Sequence, residues 1–169
     1  TVKELGENLQ ASRCCLALID THETADLDDD ELSFDYIWCN EKQNVSALQK
    51  KKILIGVDTA MRKIINQDSI IWLDLLSGEG GSLDSSNNLF EGHEDSDWRS
   101  IKSMMACPIT TGKGTIGLIL IHQCDRLRVW SQAELELVNA VASQVALAIE
   151  HGQLYNQART MAEQEQLIN

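Results

Sequence analysis

Residues 105–155 read MACPITTGKGTIGLILIHQCDRLRVWSQAELELVNAVASQVALAIEHGQLY, and the reading of this stretch decides the fold. Two apolar runs, Ile101 to Thr110 and Thr115 to Cys124, flank Thr111-Gly112-Lys113-Gly114. Glycine adopts the backbone angles of a tight turn, so the pattern predicts a β-hairpin. Ser131 followed by Glu134 is a capping box, in which each side chain satisfies a free amide of the other residue. It predicts a helix start. From there to Asn169 the only interruption is Gly152. At 1.5 Å per residue such a helix is roughly 58 Å long, far more than a small domain requires.

That helix carries two apolar stripes. Val138, Val141, Val145, Ala148 and Ile149 make one that stops at Gly152. Ala140, Leu147, Leu154, Met161 and Ile168 make another that repeats every seven residues. Val145 and Leu147 lie about 200° apart around the axis, so one surface cannot bury both stripes. The first is expected to cover a sheet and the second to meet another helix, as a dimer seam. Its heptad companions Leu137, Gln144, His151, Ala158 and Glu165 are only half apolar, which makes a weak coiled coil in isolation. The expected division is a folded domain over 1–152 and a helical extension over 153–169 that links to an output domain.

Upstream, Val2, Leu5 and Leu9 fall at helical spacing and predict a short amphipathic helix ending near Ala11. Its start inside a helical pattern, without a Met, suggests a piece of a longer protein. Cys14 to Ile19 reads as a strand. Leu32, Phe34, Tyr36 and Trp38 alternate with other residues, the clearest strand signal in the chain. Residues 46–66 are ambiguous up to Gly56, after which Val57, Met61, Ile64 and Ile65 predict a helix. Ile70 to Leu75 predicts another strand. Leu76 to Asp97 holds four of the ten glycines with many Ser, Asn and Asp, and reads as a long loop.

Composition narrows the function. The 169 residues carry 14 Lys+Arg against 26 Asp+Glu, a net charge of −12. This argues against nucleic acid as a partner, because phosphate binding needs clustered cations. No stretch approaches 18 apolar residues, so no helix is expected to span a membrane, and a cytoplasmic location follows. Cys14, Cys15, Cys39, Cys107 and Cys124 form no CxxC pair and read as reduced, mostly buried thiols rather than a disulfide frame or zinc site. Asp26, Asp28 and Asp30 imitate the start of a calcium loop, but Glu31 and Ile37 occupy the positions that need glycine and a bidentate Glu. Glu91, His93, Glu94, Asp95 and Asp97 read as a solubilising loop. No metal and no cofactor is expected.

The element order, with Ala106-Cys107-Pro108-Ile109 before the hairpin, His122-Gln123-Cys124, Arg128-Val129-Trp130 and Glu134, resembles the GAF family of small sensory domains. The likeness is sharpest to GAF domains of cyanobacterial and phytochrome-like signalling proteins. It implies an α+β fold with a central antiparallel sheet, the terminal helices on one face, and a ligand pocket on the other beneath long loops. Carried over, the pocket would be lined by His122, Leu120, Leu118, Leu89, Phe90 and Trp98. Photoreceptor members attach a bilin through a Cys followed by His. Here the matching region reads Leu89-Phe90-Glu91-Gly92-His93-Glu94, and none of the five cysteines precedes a His. Thioether attachment at that place lacks its thiolate.

Some members reduce free methionine sulfoxide with pocket cysteines. Cys107 and Cys124 lie on neighbouring predicted strands, but no cation flanks Cys107 to lower its pKa. The resemblance therefore implies a non-catalytic sensory and dimerisation module of a two-component protein, a histidine kinase or response regulator. A homodimer through the last helix and an adjacent kinase or receiver-type domain are the expected partners, with a small-molecule ligand as an option. A domain holding a bilin non-covalently is the alternative.

Overall fold

The computed structural model describes residues 1–21, 29–43, 52–56, 59–67, 69–74, 80–81 and 100–168. Helix α1 spans Val2–Asn8 and is followed by strands β1 (Arg13–Asp20), β2 (Glu31–Cys39) and β3 (Lys52–Leu54). Then come α2 (Thr59–Asn66), β4 (Ile71–Asp74), β5 (Gly80–Gly81), the hairpin β6 (Ser103–Thr111) and β7 (Gly114–Gln123), and helix α3 (Gln132–Ile168). The strands form a seven-stranded sheet in the order β3-β2-β1-β7-β6-β4-β5. Every described pairing is antiparallel.

The sheet separates two cores. On one face Cys15, Ala17, Leu32, Phe34, Met104, Ala106, Leu118 and Leu120 pack with Met61, Ile64 and Ile65 of α2. On the other, Cys14, Leu16, Met105, Cys107, Ile109, Ile119 and Ile121 pack with Leu5 and Leu9 around α1 and with Val138, Ala142 and Ala146 of α3. Both terminal helices thus share one face, as the family resemblance implied. Gly6 lets α1 lie flush on the sheet, since a Cβ there would fall 2.2 Å from the Trp38 ring.

Several expectations are corrected. The alternation in β2 breaks at a bulge: Leu16 pairs with Tyr36 but Ala17 pairs with Phe34, so Asp35 is passed over. An extra residue reverses every side chain beyond it. Leu32 and Phe34 therefore enter the α2-side core, while Trp38 joins the α1/α3 side. A second slip between Ile109 and Thr110 does the same to Ile116, which packs on the α1/α3 side, opposite Leu118 and Leu120. The loop reading of 76–97 misses Gly80–Gly81, which pairs with Trp72 and Leu73. β3 falls in the segment read as ambiguous.

The first stripe of α3 is also rotated from its expected line. Its closest approach runs through Val138, Ala142 and Ala146, because alanine lets a helix backbone come near a sheet. Val141 and Val145 are half-buried at the edge of this contact, and Ala148 is exposed.

Candidate functional site

The sequence-predicted pocket residues divide into two groups. Leu118, Leu120 and His122 are fully buried on the α2 face. Leu89, Phe90 and Trp98 lie outside the described residues, as do Asp26, Asp28, Glu91, His93, Glu94, Asp95 and Asp97. Among the described residues, no group of three or more acidic, His or Cys side chains is placed to hold a metal ion.

His122 sits near the end of β7, opposite Arg13 of β1 and Met104 of β6. Arg13 is itself fully buried, and its Nε donates to His122 Nδ1 at 3.0 Å. A nitrogen that accepts carries no proton, so the neutral ring bears its hydrogen on Nε2. Burial first, and the Arg13 charge second, hold the His122 pKa well below its ordinary value of 6.5. Arg13 was missed by sequence reasoning, although a cation heading the apolar run Cys14 to Ile19 was a visible signal.

Next to His122 the chain turns out of the sheet through a polar junction. Gln123 is buried and faces opposite to His122. Its Nε2 donates to Asp125 and, at 3.5 Å, to Ser12 Oγ, while its Oε1 accepts from Arg128 at 2.8 Å. Ser12 Oγ also accepts the Cys124 amide at 2.8 Å, and Ser103 Oγ accepts the Arg128 amide at 2.8 Å. The other arm of Arg128 pairs with Glu134, and its guanidinium stacks 4.3 Å from the Trp130 ring centroid.

The capping box forms as expected. Ser131 N donates to Glu134 Oε2 at 2.7 Å, and Glu134 N donates to Ser131 Oγ at 3.3 Å. Burial pushes the Glu134 carboxyl up, but the Ser131 amide and the Arg128 guanidinium outweigh it and hold the group below its usual range.

Cys107 and Cys124 occupy opposite faces. Cys107 is buried on the α1/α3 side, whereas Cys124 packs against the α2-side core. Burial raises the Cys107 thiol to about 12. The two sulfurs cannot work as a pair across the sheet.

On the α1/α3 face, a groove of about 830 Å³ opens between the two helices over β1 and β2. Leu5, Leu16, Tyr36, Trp38, Val141 and Val145 are among its walls. Its walls include Asp35 to Trp38, at and beyond the β2 bulge, and the half-buried edge of α3, whose orientation spacing alone could not show.

Helix α3 is continuous through Gly152. The hairpin tip meets it at Glu150, whose Oε1 accepts the Gly112 amide at 3.1 Å. Every described residue from His151 onward is exposed. In the heptad stripe Leu147, Leu154, Met161 and Ile168 are 45 %, 63 %, 64 % and 84 % exposed. No described helix is long and apolar enough to cross a membrane.

The fold is thus an antiparallel sheet between two cores, with both terminal helices on one face. The family model of the GAF domain matches residues 1–149, and the chain belongs to that family. Over 70 residues it is 34 % identical to the circadian input-output histidine kinase CikA of Thermosynechococcus vestitus. That alignment covers 41 % of this chain and 10 % of the kinase, so the chain spans a small part of that relative. Among solved structures it is similar to the phycocyanobilin-bound GAF domain of a cyanobacterial phytochrome, with a TM-score of 0.71 at 18 % identity, covering 91 % of this chain and 82 % of the other. It is also similar to the blue-light-absorbing form of the PixJ GAF domain of Thermosynechococcus elongatus, with a TM-score of 0.66 at 17 % identity, covering 95 % and 85 %.

Proposed function

We propose that this chain is a non-catalytic sensory and dimerisation module of a two-component signalling protein, and that it relays its state through α3. The observation that carries the reading is the heptad stripe Ala140, Leu147, Leu154, Met161 and Ile168, exposed on a helix that outruns its own domain. An apolar seam at seven-residue spacing is satisfied by a second helix in parallel. Membership of the GAF family and the identity to a histidine kinase support an adjacent kinase or receiver-type domain, with 1–152 as the sensing body and 153–169 as the linker. The opposed placement of Cys107 and Cys124 supports the absence of thiol catalysis. Signalling between two states needs a ligand or neighbour with a differential affinity of a few kcal/mol.

Sedimentation over a range of concentrations tests the reading. The expected result is a monomer–dimer equilibrium that Leu154→Glu with Met161→Glu abolishes. A chain that stays monomeric at all concentrations overturns it.

A second reading assigns a non-covalently held bilin to the α2 face. It is favoured by His122, a neutral imidazole held in one tautomer beside Leu118 and Leu120. The family resemblance assigns Leu89, Phe90 and Trp98 to the same pocket. Protein purified from bilin-producing cells should then be coloured, and its pigment should separate from the chain on denaturation. Colourless protein from such cells rejects this second reading and leaves the first standing.

A further inference from the structure

We infer that Arg128 is the positioning residue through which a change in β7 reaches α3, a route that rests on the relay function proposed above. Eight residues, 124–131, separate β7 from α3: the chain leaves the sheet after Gln123 and enters the helix at Gln132. A loop of that length leaves the helix start free to swing unless something fixes it. Arg128 fixes it. One arm donates to Gln123 Oε1 at 2.8 Å and the other pairs with Glu134, in the first turn of α3. Its amide is held by Ser103 Oγ at 2.8 Å, so the backbone at this point is anchored to the first residue of β6. Trp130, buried in the α1/α3-side core, closes over the guanidinium at 4.3 Å.

The Oε1 of Gln123 accepts from Arg128, while its Nε2 is directed to Asp125 and Ser12. The carboxylate of Glu134 serves the Ser131 amide and Arg128 together. Any displacement of the end of β7 moves the Gln123 amide, and the planar five-donor fork of Arg carries that movement to the helix cap. Lysine has one ammonium and cannot span both partners in a fork. His122, the neighbour of Gln123 on the same strand, faces the other core, so the strand end couples the two faces of the sheet at one point.

Further along the helix, Val138, Ala142 and Ala146 pack on the sheet, Cys107 Sγ donates to Asn139 Oδ1 at 3.8 Å, and the hairpin tip meets Glu150 through a hydrogen bond exposed to water. A solvent-facing hydrogen bond contributes little. The half-buried fork is the polar constraint at the start of α3, ahead of the packed turns, and is a stronger hydrogen-bonded tie than the solvent-facing one at Glu150.

Hydrogen–deuterium exchange of the full chain tests this, read on the hydrogen-bonded amides of residues 136–142 and on those of β1, β6 and β7. Five proteins are compared: wild type, Gln123→Met, Arg128→Met, the double variant and, as the conservative control, Arg128→Lys. Gln123→Met should speed exchange in 136–142 by several-fold, Arg128→Met by about tenfold, and the double variant no more than Arg128→Met alone. Arg128→Lys should fall between wild type and Arg128→Met, with the strand amides within about twofold of wild type throughout. Multiplying effects in the double variant overturn the proposal, because Gln123 then acts on α3 by another route. So does uniform acceleration over strands and helix, which marks global destabilisation, or no change in 136–142. The readout is independent of dimer formation: a monomeric chain with this exchange pattern rejects the relay module and keeps the junction, and a dimer without the pattern does the reverse.

Discussion

His122 makes the stability of this domain depend on pH in a way one substitution isolates. In the fold the imidazole is buried against Arg13 and its pKa is held well below 6.5, by desolvation and then by the Arg13 charge. In the unfolded chain the same ring titrates near 6.5. Below that value the unfolded state takes up a proton that the folded state refuses, so stability falls as the pH drops. For a ring still neutral in the fold at pH 5.5, moving from pH 7.5 to 5.5 removes about 1.4 kcal/mol. In a domain of this size that is a drop of about 3–6 °C in Tm.

His122→Gln removes the titrating group and keeps an oxygen that can accept from Arg13. Urea unfolding at both pH values measures the difference directly. Wild type should lose about 1.4 kcal/mol more than the variant over the interval. The remaining three of the four histidines are common to both proteins and cancel. Equal losses would refute the assignment of a neutral His122 in the fold.

Three further outcomes follow from the packing. Gly6→Ala places a methyl 2.2 Å from the Trp38 ring, and this overpacking should cost about 1–3 kcal/mol, offset in part by better helix propensity, with a shift in tryptophan emission. Leu118→Ala should cost about 2–5 kcal/mol in chemical denaturation, whereas Leu154→Ala in dilute solution should stay within about 0.5 kcal/mol. Burial lifts the Cys14 and Cys107 thiols to about 12, so at pH 8 an aromatic disulfide reagent should label them roughly a thousandfold more slowly than an ordinary thiol of pKa near 9. Rapid labelling of either in the native protein, followed by peptide mapping, contradicts their burial.

The elements legible in the sequence were those governed by neighbours along the chain. The hairpin around Gly112 and Gly114, the Ser131–Glu134 cap and the uninterrupted helix beyond it all depend on contacts a few residues apart. The seven-residue stripe of α3 was equally visible, because helical geometry alone sorts residues to faces.

Tertiary structure decided what depends on register and on packing partners far away in the chain. The bulge at Asp35 sent Trp38 to the opposite face from Phe34, and alternation in sequence carries no mark of where a strand slips. The same holds for Ile116 in β7. The Arg13–His122 contact joins residues 109 positions apart, and the fork of Arg128 needs β6, β7 and α3 in place before its partners exist. Local sequence chooses an element, but the faces those elements turn toward one another are fixed only when the sheet closes over both cores.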